Sequence, residues 1–316
     1  MERIFLTGST GFVGSELAAA LSDSYEVYAL VRTTSNKHSL DPLKGCIDRI
    51  QIRYGNLTDY TAVKKIIADI EPHAIIHVGA ATAVRHSFDS PMEFQKTNHL
   101  ATVNLVHAAM SLPDFKKFLF ASTMEVYGWQ KPGTPFTEDF ALHPESPYAV
   151  SKYAAEEYVR MAGKAYGLPY IVSRACNTYG RKYSTGFIVE YLIAAMLKNE
   201  TVYLGTPDAV RDMMYIDDHV NAYVTSLTSD VTNDVFNFST GNMTAMSTLA
   251  EKIKELTGYK GTMVNGFPPG YPSRPVVSPF LSLNSAKAKE RLGWEPRTSL
   301  EKGLEQTIER VRQQLS

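Results

Sequence analysis

The order of apolar runs predicts an α/β protein: a doubly wound parallel sheet with a smaller C-terminal domain interleaved with it. Three observations carry that prediction. Short strand-like runs alternate with helical segments through the first half. A glycine-rich turn, GSTGFVG, joins the first strand to the first helix. From Asn177 onward the alternation gives way to Pro- and Gly-rich segments. A chain of 316 residues has room for a full core and about two domains.

Composition narrows the function classes. A formal net charge of −1 provides no electrostatic reason to expect nucleic acid or an anionic membrane as partner. Cys46 and Cys176 lie far apart and form neither a metal-ligand nor a redox spacing, so reduced thiols in a cytoplasmic protein are expected. The chain enters a strand almost at once with no signal peptide before it, and no apolar run is long enough to span a bilayer.

Arg3 to Thr7 reads as a short buried strand, followed at once by the turn and by a helix through Leu17 and Leu21. Gly8, Gly11 and Gly14, with Thr10, Phe12 and Val13 between them, form the candidate cradle for a dinucleotide. Glycines permit the tight turn and close approach to a pyrophosphate at the positive helix N-terminus. Glu26 to Val31 is the second strand. Where an acid would serve a ribose 2′-OH, the chain has Arg32, then Thr33, Thr34, Ser35 and Asn36. A cation among hydroxyls suits a 2′-phosphate, which favours NADP over NAD; the plainer reading of Arg32 is a solvated residue at a strand end.

Ile50 to Arg53 is the third strand, with Asn56 and Leu57 following in GNLTD, and a helix from Tyr60 ends before Pro72. Ala74 to Val78 is the fourth. HVGAAT follows it, so that Ala80 and Thr82 lie at a strand end where ligands collect in open α/β sheets. His77 and His86 have no partner carboxylate or cysteine and read as packing or surface residues, so no metal is expected. A helix from Pro91 to Ser111 then leads to the fifth strand, and Leu168 to Arg174 is a sixth.

The stretch after the fifth strand holds the chemistry. It opens STMEVYG and closes SPYAVSK, in which Tyr148 and Lys152 are four apart. Pro147 suits the first position of a helix, which puts Tyr148 and Lys152 on one face a single turn apart. A phenol has a pKa near ~10, and a nearby ammonium is expected to lower it. Tyr148 is then the candidate base for a sugar hydroxyl, with Ser122 or Thr123 holding the same oxygen. The pair alone is a weak signal, since helix surfaces carry it by chance.

With those residues in view, the chain resembles the extended short-chain dehydrogenase/reductases, in their nucleotide-sugar epimerase and dehydratase branch. The resemblance rests on TGSTGFVG, HVGAATAV, Asn98, STMEVYG, YAVSK, RACNTYG, AVRDMMYIDDHVNAY and LGWEP, in this order over nearly the whole length. It implies a Rossmann-like domain over 1–176 and about 212–240, and a substrate domain over 177–211 and 241–316. It implies a bound nicotinamide dinucleotide, reduced and reoxidised within each turnover, and a nucleoside-diphosphate sugar as substrate. Tyr148 would be the base, Lys152 would hold the nicotinamide ribose, and Thr123 would bond the sugar C4 oxygen. Thr82, Asn177, Arg211 and Arg274 match positions that contact substrate, although the acid that often follows the last is absent from RPVVSP. A homodimer built on the helices after the fourth and fifth strands is the family expectation.

The same resemblance bears on the reaction. Once C4 is a ketone, a 4,6-dehydratase needs a carboxylate for the C5 proton. Glu125 matches the glutamate of that group, whereas simple 4-epimerases have a small residue there. Met124 stands where dehydratases acting on dTDP-glucose carry an aspartate, and GDP-mannose dehydratases do without it. HSFDSP, PDAVRD and Arg32 are also similar to the GDP-mannose group, while the short C-terminal part is closer to the 4-epimerases. The expectation is a 4,6-dehydratase of GDP-mannose type, with a 4-epimerase as the alternative and a non-catalytic cofactor-bound scaffold as a remote third.

Overall fold

The computed structural model describes residues 1–32, 37–129, 133–182, 184–271 and 278–315. Its centre is a seven-stranded sheet made of β1 (Arg3–Thr7), β2 (Glu26–Val31), β3 (Ile50–Tyr54), β4 (Ala74–His77), β5 (Lys117–Ala121), β6 (Tyr170–Ala175) and, later in the chain, Asp234–Phe238. Every pairing in it is parallel. The spatial order puts Asp234–Phe238 at one edge, then β6, β5, β4, β1, β2 and β3. The chain grows outward from β1 to β3 and then returns to lay β4 on the other side of β1. That reversal opens a crevice at the carboxyl ends of β1 and β4.

Strands covered on both faces read as continuous apolar runs, and β1 shows why. Ile4 and Leu6 enter one core with Leu17, Leu119 and Phe236, whereas Phe5 enters the opposite core with Ile75, Leu105 and Phe120. A third core, around Leu192, Leu249, Ile253 and Ile308, belongs to the later part of the chain. There β7 (Asn177–Tyr179), β9 (Val210–Tyr215), Met243–Ala245 and Phe280–Leu281 form a small mixed sheet. β8 (Val202–Leu204) pairs with Met263–Asn265, a strand inside a segment that reads from sequence only as Pro/Gly-rich. Completing the strands in chain order, Asp234–Phe238 is β10, Met243–Ala245 β11, Met263–Asn265 β12 and Phe280–Leu281 β13.

Two helix boundaries follow from local chemistry. The Asp59 side chain caps the helix Tyr60–Ile70 by accepting from Ala62 N at 3.1 Å. Ser146 caps the helix Pro147–Tyr166 through Ala149 N at 3.0 Å, with Pro147 in the first turn and Gly167 left-handed at the end. One boundary departs from the sequence reading: the expected helix from Pro91 to Ser111 is Pro91–Phe94, a π-helical turn Gln95–Leu100, and Ala101–Ala109. The wider turn holds Asn98, whose side chain bonds the backbone of the loop after β4; π turns of this kind favour such insertions. Among the described residues no helix is long and apolar enough to cross a membrane.

Gly128 closes the 3₁₀ turn Met124–Tyr127 at φ 65°, and a Cβ there would lie 1.8 Å from the His143 carbonyl oxygen. Gly128→Ala is therefore expected to cost at least about 2 kcal/mol, because a left-handed backbone and a backbone clash act together. Chemical denaturation measures it, and a loss below half that figure would show that the turn relaxes freely.

Candidate active site

The crevice is closed by backbone. A Cβ on Gly8, at φ 70°, would approach Gly79 Cα to 2.7 Å, and one on Gly14 would approach Gly8 O to 2.0 Å. Glycine at both places lets the turn, the helix Phe12–Leu21 and the loop after β4 pack without side chains between them. The result is a cavity of about 1130 Å³ that runs past the helix N-terminus and across the carboxyl ends of the central strands.

Most of the expected residues line it. Gly8, Thr10, Gly11, Phe12, Val13 and Gly14 form one wall. Arg32, exposed at the end of β2, stands with Asn56 and Leu57 after β3, and Ala80 and Thr82 after β4. Thr123, Tyr148 and Lys152 line the same space. The chain therefore brings the glycine turn, 100 residues and more away in sequence, to the Tyr-Lys helix.

Thr123 ends β5's run and caps the 3₁₀ turn, its hydroxyl oxygen accepting from Glu125 N at 3.2 Å. The same hydroxyl is close enough to the Tyr148 phenol to oppose the rise of its pKa. Phe94 meets the Tyr148 ring edge to face, with centroids 6.3 Å apart. One turn along, the Lys152 ammonium sits 4.3 Å from the centroid of the Phe120 ring. Asn98 ties the loop to this helix, accepting from Ala81 N at 2.7 Å and donating to Ala81 O at 3.0 Å and Ser151 Oγ at 2.9 Å.

The electrostatics correct the sequence reading. The phenol was expected to be lowered by Lys152, but in the ligand-free protein burial pushes Tyr148 up to about 12. The Thr123 hydroxyl opposes that shift, and the Glu125 carboxylate adds to it. Burial also pushes Lys152 down to about 7, against the pull of Glu156. Both groups lose hydration on being buried, so the neutral forms gain. His77 is a packing residue: it bonds Thr7 Oγ1 at 2.6 Å and Thr102 Oγ1 at 3.0 Å, and burial pushes it down to about 3.

Three expected residues are not walls of the cavity. Glu125 is half-buried on the 3₁₀ turn, close enough to Tyr148 to raise its phenol, while neighbouring Met124 is packed in the core. Asn177 is half-buried on β7, between the cavity residues Cys176 and Thr178. Arg211 is buried on β9, donating to Val210 O at 2.8 Å and Ser278 O at 2.6 Å. Arg274 and the run Thr33 to Asn36 lie outside the described residues. Conversely, Lys96, Thr97, Thr178, Arg181, His219 and Tyr223 line the cavity without having been singled out. Thr178 and Arg181 belong to RACNTYGRK, and His219 and Tyr223 to AVRDMMYIDDHVNAY, whereas Lys96 and Thr97 sit on a helical turn whose spacing gives no sign of the cavity.

The profile of the family described as GDP-mannose 4,6 dehydratase matches residues 5–307. A putative UDP-glucose 4-epimerase of Methanocaldococcus jannaschii is 30% identical over 312 residues, covering 96% of this chain and 97% of that protein. The crystal structure of a UDP-glucose 4-epimerase from Thermotoga maritima, with UDP-glucose, superposes with a TM-score of 0.91 at 32% identity, covering 99% of this chain and 100% of the other. A dTDP-glucose 4,6-dehydratase from Bacillus anthracis, in complex with NAD, superposes with a TM-score of 0.86 at 25% identity, covering 99% and 97%.

The protonation state makes a direct prediction. In an ultraviolet difference titration of the ligand-free protein against Tyr148→Phe, the missing phenol ionises only near pH 12. A midpoint at or below the ordinary tyrosine value, near ~10, would show that Lys152 outweighs burial after all.

Proposed function

The chain belongs to the nucleotide-sugar 4,6-dehydratase and 4-epimerase family of extended short-chain dehydrogenase/reductases, and on that premise we propose that it oxidises C4 of a nucleoside-diphosphate hexose to a ketone. The observation that carries this reading is the meeting of Thr123, Tyr148 and Lys152 with the glycine turn in one cavity.

A nicotinamide dinucleotide fits that cavity. The cradle between Gly8, Gly11 and Gly14 is a place where any Cβ would meet backbone, and it faces a helix N-terminus suited to a pyrophosphate. Arg32, Asn56, Leu57 and Ala80 would flank the remainder, and the cation at Arg32 supports NADP over the NAD bound by the B. anthracis relative. When bound, the nicotinamide supplies the two-electron acceptor for C4.

The chain's own residues handle the proton and the pose. Thr123 and Tyr148 line the same cavity and are placed to share the C4 oxygen, and the Tyr148 phenolate accepts the hydroxyl proton, becoming the neutral phenol, as the ketone forms. Lys152 in its charged form favours the phenolate that this requires. Thr82, Asn177, Arg211 and Arg274 are the proposed contacts to sugar and diphosphate.

We favour 4,6-dehydration of GDP-mannose type as the next step, because Glu125 is the carboxylate closest in sequence to Thr123 and its charge is felt at Tyr148. Glu125 would take the C5 proton acidified by the C4 ketone and return one to the departing C6 hydroxyl. A 4-epimerase is the second reading, supported by the absence of Glu125 from the cavity walls. We also propose a homodimer on the helices after β4 and β5, where Leu100, Val150 and Met161 are exposed.

Mass spectrometry of products from GDP-, UDP- and dTDP-hexoses separates the two readings, since dehydration removes a water and inversion leaves the mass unchanged. Tyr148→Phe is expected to lower turnover at least ~10²-fold while cofactor binding is retained. Unchanged turnover would remove Tyr148 from the mechanism. Glu125→Gln is expected to abolish water loss, while an epimerase would keep C4 inversion. In a binding titration Arg32→Ala should weaken NADP more than NAD; equal losses would argue against its role at a 2′-phosphate.

A further inference from the structure

We infer that Glu156, backed by Arg174, is the positioning residue that keeps Lys152 charged at the reacting centre. The inference rests on the reading of Tyr148 and Lys152 given above and adds residues that the motif does not contain.

Glu156 lies one turn beyond Lys152 on the helix Pro147–Tyr166, and both are buried. An ammonium in the interior loses its hydration and needs an anion near it. The charges and rings around Lys152 are few. On its own helix are Tyr148 and Glu156, from β5 comes the neutral face of Phe120, and from β4 comes His77, which burial holds neutral. Glu156 is the group whose charge opposes burial at Lys152.

Glu156 in turn is anchored by hydrogen bonds from two other elements. Arg174 on β6 donates to it from Nη2 at 2.5 Å and from Nε at 3.1 Å, and the two side chains are 2% and 0% exposed. Ser122, beside Thr123, donates to its other oxygen at 2.6 Å. Arg160 and Tyr170 also feel its charge from the rim. Behind Arg174, Nη1 donates to Tyr127 Oη at 2.8 Å and to Glu138 O at 3.3 Å, and Tyr127 donates to Asn237 at 2.8 Å. Glu138, itself raised by burial, accepts from Asn237 N at 2.7 Å. An ion pair that merely tied β6 to the helix would not need Ser122. The Ser122 bond anchors the carboxylate at the strand end that carries Thr123, between the arginine and the lysine.

The test measures Lys152 directly, in cofactor-free protein, by competitive labelling with acetic anhydride across a pH series and mass spectrometry of the Lys152 peptide. The wild-type midpoint is expected near 7. Glu156→Gln should lower it by about one unit or more. Glu156→Asp should restore most of the difference. Because Glu156→Gln leaves Arg174 buried without its partner and can fail to fold, the double variant Glu156→Gln with Arg174→Met removes both charges. It should fold and still show a lowered midpoint. An unchanged midpoint in the double variant overturns the inference, including the case in which only the single variant shifts, since the unpaired Arg174 would then be the cause.

With cofactor and sugar nucleotide, the alkaline limb of the turnover profile, followed by mass spectrometry or chromatography of the sugar product, should move to lower pH with the labelling midpoint. A limb that stays in place while wild type turns over also overturns the inference. Wild type that converts no sugar nucleotide to product instead overturns the proposed function, and leaves the labelling result to stand.

Discussion

The arrangement depends on backbone packed against backbone at the reversal of strand order. Gly8 meets Gly79 and Gly14 meets Gly8 at separations that leave no room for a Cβ. That contact draws the ends of β1 and β4 together and keeps side chains out of the crevice between them. The large cavity follows, with a helix N-terminus at one side and Thr123, Tyr148 and Lys152 at the other. The π turn belongs to the same geometry, since it carries Asn98, which bonds both the loop after β4 and Ser151.

A second constraint is charge balance in the interior. Lys152, Glu156 and Arg174 are all buried, and each is costly to bury alone. Glu156 and Arg174 pair directly, with Ser122 and Tyr127 accounting for further hydrogen bonds, and the Glu156 charge opposes the burial of Lys152 one turn away. The site is nonetheless biased toward a neutral phenol, since burial raises Tyr148 and the Glu125 carboxylate adds to that shift.

Much of the protein was legible from local pattern. Alternating apolar runs gave the six strands of the first half, because each is covered on both faces and must be apolar throughout. Pro147 after a Ser placed the start of the active-site helix, since capping and a fixed φ act within a few residues. The glycine turn was readable for the same reason. Met263–Asn265 was not, as its short partner β8 lies some sixty residues away and supplies the only reason for that segment to be extended.

What the sequence by itself determined is the order of elements, the spacing of Tyr148 and Lys152 on one helical face, and the turn opposite them. These are consequences of periodicity, capping and backbone freedom within a short window. Only the tertiary structure decided which way the titratable groups move and which carboxylate acts on Lys152. Desolvation is set by everything packed around a side chain, and Arg174 reaches Glu156 from another strand. It also decided that Lys96, Arg181, His219 and Tyr223 share the cavity, while Glu125 and Arg211 do not line it. Lys96, Arg181 and the His219–Tyr223 pair come from three separate parts of the chain whose approach no local pattern encodes.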